Sequence, residues 1–147
     1  MIDFLGFFIL ISGLIIGLGA VIVIDIHGFL GIKSSYWTQA TTRTHKVTKP
    51  LIWVGIVLLI IGEIIIFRNN LFSITPIILF TISSVLILNG IFLSFFVSPY
   101  MLNREKQGRD TELLPKSWQN KITISLIFSD LGWWSTVAII AHYISTK

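Results

Sequence analysis

The chain has 147 residues, of which 54% are hydrophobic and 12% are charged, and its formal net charge is +4. A soluble domain of ordinary composition has about 25% charged residues, so this chain is too apolar to be a water-soluble globule. Cysteine is absent, which excludes disulfides and any metal binding or catalysis by thiolates. The basic residues stand beside apolar segments, which indicates anionic lipid headgroups, and not nucleic acid, as their partner.

Four apolar segments are each long enough to cross a bilayer, whose hydrocarbon core requires about 20 helical residues. The segments are residues 4–32, 50–67, 74–97 and 122–144. They predict an all-α integral membrane protein, a four-helix bundle that forms a single transmembrane domain over residues 1–147. The first segment is too long for a signal peptide and no basic residue precedes it, so we expect it to remain as a membrane helix.

Prolines and serines mark where these segments are expected to begin and end. Pro50 suits the first turn of the second helix, where its missing N–H costs nothing, and Pro99 is expected to end the third helix. Ser34 or Ser35 is a candidate N-cap for a short interfacial helix ahead of the second segment. Pro115 prepares the start of the fourth helix after the long polar loop.

The basic residues are distributed unequally between the two sides of the predicted bundle. The loops after the first and third segments contain nine of them: Lys33, Arg43, Lys46, Lys49, Arg104, Lys106, Arg109, Lys116 and Lys121. The opposite side has Arg68 and Lys147. The positive-inside rule therefore predicts that both loops are cytoplasmic and that both termini lie on the outer side. The expected location is the plasma membrane of a bacterium or archaeon.

Each segment has one face of small residues. On the first segment these are Gly6, Gly13, Gly17, Ala20, Gly28 and Gly31; on the others they are Gly55 and Gly62, then Ser83, Gly90 and Ser94, then Ser125, Ser129, Gly132 and Thr136. Because lipid is as apolar as leucine, membrane helices associate mainly by close packing of such faces. The faces therefore predict helix contacts within the bundle, and the same faces also suit a homo-oligomer.

The polar residues inside the segments fall into two layers. A cytoplasmic layer contains Asp25, His27, His45, Asn89 and Asp130, and an outer layer contains Glu63 and His142. Much of a bilayer core about 30 Å thick separates the layers, so His142 and His27 cannot share a metal or a haem. Charged groups at this depth are costly and are therefore functional candidates.

The helical period separates the two polar residues of the first segment. At roughly 100° per residue, Asp25 and His27 point about 160° apart. His27 lies near the glycine face, so we expect it to face another helix. Both side chains would enter one pocket only if the helix unwound, which Gly28 and Gly31 make feasible.

Asp130 lies opposite the small face of the fourth segment. Because a lipid-facing carboxyl is costly, the fourth helix should be buried on both sides, with Asp130 reaching a hydrogen-bond donor. Asn89 is the candidate donor by depth, and His27 or His45 is the charged alternative.

Three functions remain open for these residues. The first is a ligand site for haem, a metal or a quinone headgroup, held by His27 and His45 with Asp25 or Asp130 orienting them. The second is a small proton- or ion-coupled transporter or channel, with Glu63 and His142 on the outer side and the acids of the cytoplasmic layer within. The third is a structural or assembly protein. No hydrolase, zinc-protease or phosphate-loop motif occurs, which favours a role without catalysis.

Two stretches place a histidine near a membrane boundary: "IDIHGFLG" in the first segment and "THKVTKPLIWVG" at the start of the second. In this span plan the chain resembles small four-helix bacterial membrane proteins that handle haem or copper, such as the HemJ-type protoporphyrinogen oxidases and the CopD-type copper proteins. The resemblance covers the layout of the spans. It implies haem or copper chemistry near the membrane surface and assigns no catalytic residue.

Overall fold

The computed structural model describes residues 2–146, with side chains from residue 3 onward. Its elements are α1 (Ile2–Gly31), α2 (Ser35–Phe67), α3 (Ile74–Phe92), a π-helical turn (Leu93–Val97), α4 (Ser98–Lys106) and α5 (Lys116–Ser145). Four helices are long and apolar enough to cross a membrane, with α3, the π turn and α4 forming one of them. The described chain is thus all-α with four candidate membrane spans, as the sequence predicts.

The four spans form a closed ring of neighbours, in which α1 and α3 each contact both α2 and α5. The contact between α1 and α2 is the tightest because glycines bring the two backbones together. A Cβ atom at Gly13 would lie 2.6 Å from the Leu59 nitrogen, and one at Gly62 would lie 2.6 Å from Leu10 Cβ. Gly55 faces Gly17 across the same interface. The predicted close packing of these faces is therefore confirmed.

The helix α5 is buried on two sides, as Asp130 led us to expect. Toward α1, the Trp133 ring fills the space beside Gly17 and is 1% exposed. Toward α3, Gly132 packs against Leu86. A small residue on one helix thus receives a large side chain from the other at both contacts, which is how close-packed interfaces avoid voids.

The helix α2 begins well before the predicted second segment. Ser34 is the N-cap, and its hydroxyl accepts a hydrogen bond from the Trp37 nitrogen at 3.5 Å. The polar residues that follow join the apolar segment in one helix of 33 residues, and Pro50 lies inside it. The prediction that Pro50 opens the helix was wrong. Its side chain is exposed, so its ring meets no neighbouring helix, and one lost hydrogen bond is tolerated in a long helix.

The third span continues past Pro99, which the sequence analysis expected to end it. The chain instead widens into the π turn, where the Ser98 N–H donates to the Leu93 carbonyl five residues earlier. Pro99 has no N–H to donate, so the Ser94 carbonyl has no donor within its own helix. Proline here shifts the hydrogen-bond register of the helix without stopping it.

The connection between α4 and α5 is held by Arg104, whose side chain is buried and only 6% exposed. Its Nη2 donates to the carbonyls of Arg109, Glu112 and Leu113 at 3.0 to 3.3 Å. Gly108 makes the turn, with a φ of 69° that favours glycine. Arg104 therefore shapes the loop in addition to adding a positive charge to it.

Two contacts attach this loop to the polar start of α2. Lys46 Nζ lies 2.7 Å from Glu105 Oε2, and Gln39 Nε2 donates to Asp110 Oδ2 at 2.7 Å. The hydrogen bond from Gln39 lowers the pKa of Asp110 below its ordinary value. We call this end of the bundle the basic end, because all nine basic residues of the two loops lie there. The opposite end has Arg68, which pairs with Asp3 at 2.8 Å, while Lys147 lies outside the described residues.

Candidate functional site

A cavity of about 50 Å³ lies inside the bundle near its basic end. Its walls are mostly apolar and come from α1 (Ile24 and Gly28), the π turn (Leu93 and Val97) and α5 (Ile122 and Leu126). Gly90 of α3 and Met101 of α4 add to the apolar part, and α2 provides most of the polar lining. Such a combination of apolar walls with a few polar groups is typical of sites for small molecules.

The polar residues of α2 that line the cavity are Thr41, His45, Lys49 and Trp53, which follow one another at intervals of four residues and so share one helix face. Trp53 Nε1 donates to Ser94 Oγ at 3.0 Å, and Lys49 Nζ donates to the Ser94 carbonyl at 3.4 Å. His45 Nε2 is buried and has no hydrogen-bond partner. The side chains of His45, Lys49 and Trp53, together with Ser94, form the polar part of the candidate site.

The π turn explains why Lys49 is held here. Because Pro99 cannot donate and Ser98 donates to Leu93, the Ser94 carbonyl needs an outside donor. The Lys49 ammonium supplies it, at a distance beyond the usual range of about 2.7–3.2 Å for a good N–H···O bond. Lys49 is therefore held at the edge of the cavity by a long, weak contact.

Asp25 is the second buried group with an unpartnered atom. Its side chain is 3% exposed, and its Oδ2 has no hydrogen-bond partner. Its carboxyl group faces that of Asp130 across the interface of α1 and α5, and Asp130 is half-buried. The structure thus brings together two acids of the cytoplasmic layer, where the sequence analysis expected an acid and a donor.

His27 points away from this acid pair because α1 remains helical to Gly31. Its Nδ1 lies 2.7 Å from the Val23 carbonyl of its own helix, and its ring contacts the Trp37 ring edge-on at 5.1 Å. The expected contact with another helix is therefore with the first turn of α2. His27 does not line the cavity that His45 faces, so the structure does not place the two histidines around one ligand.

Asn89 does not serve as the donor for Asp130. Its Nδ2 donates to the Ser125 carbonyl at 3.1 Å, and its Oδ1 accepts from the Ser125 hydroxyl. The residue therefore joins α3 to α5 by a reciprocal pair of hydrogen bonds. The predicted depth of Asn89 was correct, but depth alone could not distinguish Ser125 from Asp130 as its partner on α5.

The two residues of the outer layer lie in different surroundings. Glu63 is 0% exposed, and the Ser83 hydroxyl lies 3.3 Å from each of its carboxyl oxygens. His142 is exposed and lines a shallow groove with Ile78 and Tyr143. The structure therefore places Glu63 in the core of the bundle and His142 on its surface.

The sequence analysis missed three members of the site. Lys49 was counted only as a charge that sets topology, and Trp53 and Ser94 were not connected with His45. The spacing of His45, Lys49 and Trp53 was a usable signal, because residues four apart share a helix face. Within residues 2–146, no group of three or more His, Cys, Asp or Glu side chains is placed to hold a metal ion.

Comparison with known protein families, with curated proteins and with solved structures finds no match for this chain. The features of the molecule that bear on function are the cavity, the strip of His45, Lys49 and Trp53 on α2, and the separate pair of Asp25 and Asp130.

Proposed function

We propose that the chain is a multi-pass membrane protein that binds an amphipathic, lipid-soluble molecule in the cavity at its basic end. The apolar walls would hold the body of this ligand, and His45 with Lys49 would hold its polar head. The observation that carries the proposal is His45 Nε2, a buried polar atom without a partner on a residue that lines a mostly apolar cavity. Leaving such an atom unpaired costs about 1–3 kcal/mol, which a ligand head would recover.

The distribution of charge gives the proposed orientation. All nine basic residues of the two loops lie at one end of the bundle, so this end faces the cytoplasm and both termini lie outside. His45 and Lys49 directly precede the apolar part of α2, which begins at Pro50. The head of the ligand would then lie close to the cytoplasmic headgroups, and its body would extend toward the membrane interior.

Photolabelling tests this proposal. The purified protein in phosphatidylcholine nanodiscs is irradiated with a long-chain fatty acid that bears a diazirine in its chain, and labelled residues are located by mass spectrometry. We expect labels on cavity residues such as Leu93, Ile122 and Leu126, at probe concentrations that leave the lipid-facing residues of α1 nearly unlabelled.

A matched pair of variants in the π turn provides the control. Leu93 lines the cavity, whereas Phe96 is 60% exposed on the outside of the same turn. Leu93→Trp should fill the cavity and abolish its labelling, and Phe96→Trp should leave the labelling unchanged. Equal labelling of cavity and lipid-facing residues in both variants would contradict the proposal.

A second candidate function follows from the contact of Asp25 with Asp130. Two carboxyl groups that face each other away from water repel when both are charged, so a pair that shares one proton is favoured. The pair would therefore serve as a proton-binding site of a small transporter. Proton flux into liposomes that falls in Asp25→Asn and in Asp130→Asn would support this function. If liposomes that contain the wild-type protein take up protons no faster than empty liposomes, the transporter function is contradicted.

A further inference from the structure

We infer that the head group bound in the cavity is an anion, a carboxylate or a phosphate, which Lys49 and His45 hold together at the end of a single apolar chain. This inference depends on the function proposed above and adds the chemical class of the ligand. It comes from the charges that surround the cavity, from the weak contact that now occupies Lys49, and from the shape of the walls.

The charge balance at the cavity is positive. Lys49 is the one charged side chain among its lining residues within the described chain. The ion pairs found in residues 2–146 involve Lys46, Arg68, Arg104 and Arg109, and none of them involves Lys49. A half-buried ammonium group without an acidic partner favours an anion, because opposite charges attract strongly where water is scarce.

The acids of the same layer do not provide this partner. Asp25 and Asp130 face each other across the interface of α1 and α5, and neither lines the cavity. Glu105 is already paired with Lys46 on the outside of α2. The charge of Lys49 is therefore not neutralised by a neighbouring carboxylate in the described part of the chain.

The present partner of Lys49 is a weak one. The Ser94 carbonyl lies 3.4 Å from Nζ, whereas a charge-assisted bond to a carboxylate or phosphate oxygen is about 2.7–2.9 Å long and roughly twice as strong as a neutral one. An anionic head would draw Lys49 toward itself. His45 would donate to the same head in the tautomer that carries its proton on Nε2.

The remaining contacts would keep the site in shape while Lys49 moves. Trp53 bonds to the Ser94 hydroxyl and not to its carbonyl, so α2 and the π turn stay joined. The cavity holds only about 50 Å³, and most of its walls away from α2 are apolar. This space admits a slender group next to the head and excludes a bulky ring system. The ligand we commit to is therefore a long-chain carboxylate, whose chain would extend beyond the cavity toward the membrane interior.

Two probes that differ only in the head group test the inference. A diazirine fatty acid and the matching diazirine fatty alcohol are compared, at an alkaline pH that keeps the acid ionised, by the concentration that half-labels the cavity residues. The wild-type protein should prefer the acid. Lys49→Met should weaken labelling by the acid about tenfold or more, as the loss of a charged hydrogen bond implies, and should leave labelling by the alcohol unchanged.

Three controls accompany this comparison. Lys46→Met removes a basic residue from the preceding turn of α2, where Lys46 pairs with Glu105, and should change neither probe. Lys49→Arg retains the charge and should keep the preference for the acid. Inorganic phosphate separates an amphiphile from a free anion: we expect no displacement of the acid probe, because the chain contributes much of the affinity.

The outcomes separate this inference from the proposed function. Labelling of the cavity by neither probe would overturn both. Equal labelling by acid and alcohol, or loss of both probes in a folded Lys49→Met variant, would overturn the anionic head and leave an amphiphile site. Full displacement by inorganic phosphate would show that the site recognises a free anion, which contradicts the single-chain ligand.

Discussion

The two halves of the bundle are built by different means. In the half that carries the termini, Gly13, Gly55 and Gly62 bring α1 and α2 into backbone contact, and the buried Glu63 is bonded by Ser83. The basic half contains the cavity, the π turn and both of the buried, unpartnered side-chain atoms found in residues 3–146. The backbones of α1 and α2 are thus in close contact and Glu63 is bonded in the terminal half, whereas the internal cavity and the two unpaired buried atoms lie together in the basic half.

The difference comes from the side chains on α2. Toward the termini this helix presents glycines to α1, so the helices meet with little between them. Toward the basic end it presents the long side chains of His45, Lys49 and Trp53 to the cavity, and Lys49 and Trp53 bond to Ser94 of the π turn. The terminal half thus contains the closest helix contacts, and the basic half contains the proposed binding site.

The largest expected effect is in the terminal half. Gly13→Leu would push a side chain against the backbone of α2, 2.6 Å from the Leu59 nitrogen, and backbone atoms cannot move aside as a side chain can. We expect a loss of about 3 kcal/mol or more, at the upper end for overpacking, seen as a lower melting temperature in detergent. Gly19→Leu is the matched control, since a Cβ there has no atom within 4 Å. Equal melting of the two variants would remove the claim that α1 and α2 are locked by glycines.

A smaller effect is expected at Glu63. Ser83→Ala would leave this fully buried carboxyl without its hydroxyl partner, which should cost about 1–3 kcal/mol. Ser84 bonds the Phe80 carbonyl of its own helix on the exposed face of α3, so Ser84→Ala should cost little. Chemical or thermal unfolding of both variants would measure the contrast, and a greater loss in Ser84→Ala would reverse our view of which serine matters.

An effect of opposite sign is expected in the basic half. Pro99→Ala would remove the ring that blocks the regular register and would supply an N–H for the Phe95 carbonyl four residues earlier. The Ser98 N–H could then move from the Leu93 carbonyl to the Ser94 carbonyl, and the π turn could relax into a regular helix. We expect a gain of about 1 kcal/mol, typical of one hydrogen bond. The same variant should bind the fatty acid probe less well, because a regular helix would narrow the cavity. Melting and photolabelling of one preparation would show both changes. A gain in stability with unchanged labelling would separate the π turn from the binding site.

The smallest effect lies outside the membrane and depends on pH. The hydrogen bond from Gln39 lowers the pKa of Asp110 in the folded protein, so the contact contributes stability above the ordinary pKa of an aspartate. That contribution is lost as the pH falls through the lowered value. Gln39→Ala should raise the pKa of Asp110 toward its ordinary value, as carboxyl ¹³C NMR would measure. An unchanged pKa in this variant would mean that the loop is not attached to α2 through this bond.

Hydropathy predicted the all-α fold and the four spans because the bilayer imposes their length and composition. It misread Pro50 and Pro99 because a long helix can tolerate one lost hydrogen bond, as at Pro50, and because a freed carbonyl can find a donor on another helix. At Pro99 that donor is Lys49, which lies 50 residues away in the sequence but is adjacent in space. A rule that considers only neighbouring residues cannot include such a donor.

The candidate site was predictable only in part. The depth of Asp25, His45 and Asp130 follows from counting residues, and the helical period correctly separated Asp25 from His27. The glycine face did not decide whether Asp25 or His27 points into the bundle, because α1 packs on two sides, against α2 and against α5. The contacts of Asp25 with Asp130 and of Trp53 with Ser94 depend on how the helices are rotated in the bundle.

The response of the histidines to a ligand tests the central claim most directly. The chain has three histidines, and they differ in surroundings: His45 faces the cavity, His27 is bonded to Val23, and His142 is exposed on the surface. Imidazole ¹⁵N NMR during titration with a long-chain fatty acid would follow all three at once. Our account predicts a saturable shift of the His45 Nε2 signal alone. An unmoved His45, or equal movement of all three signals, would contradict it.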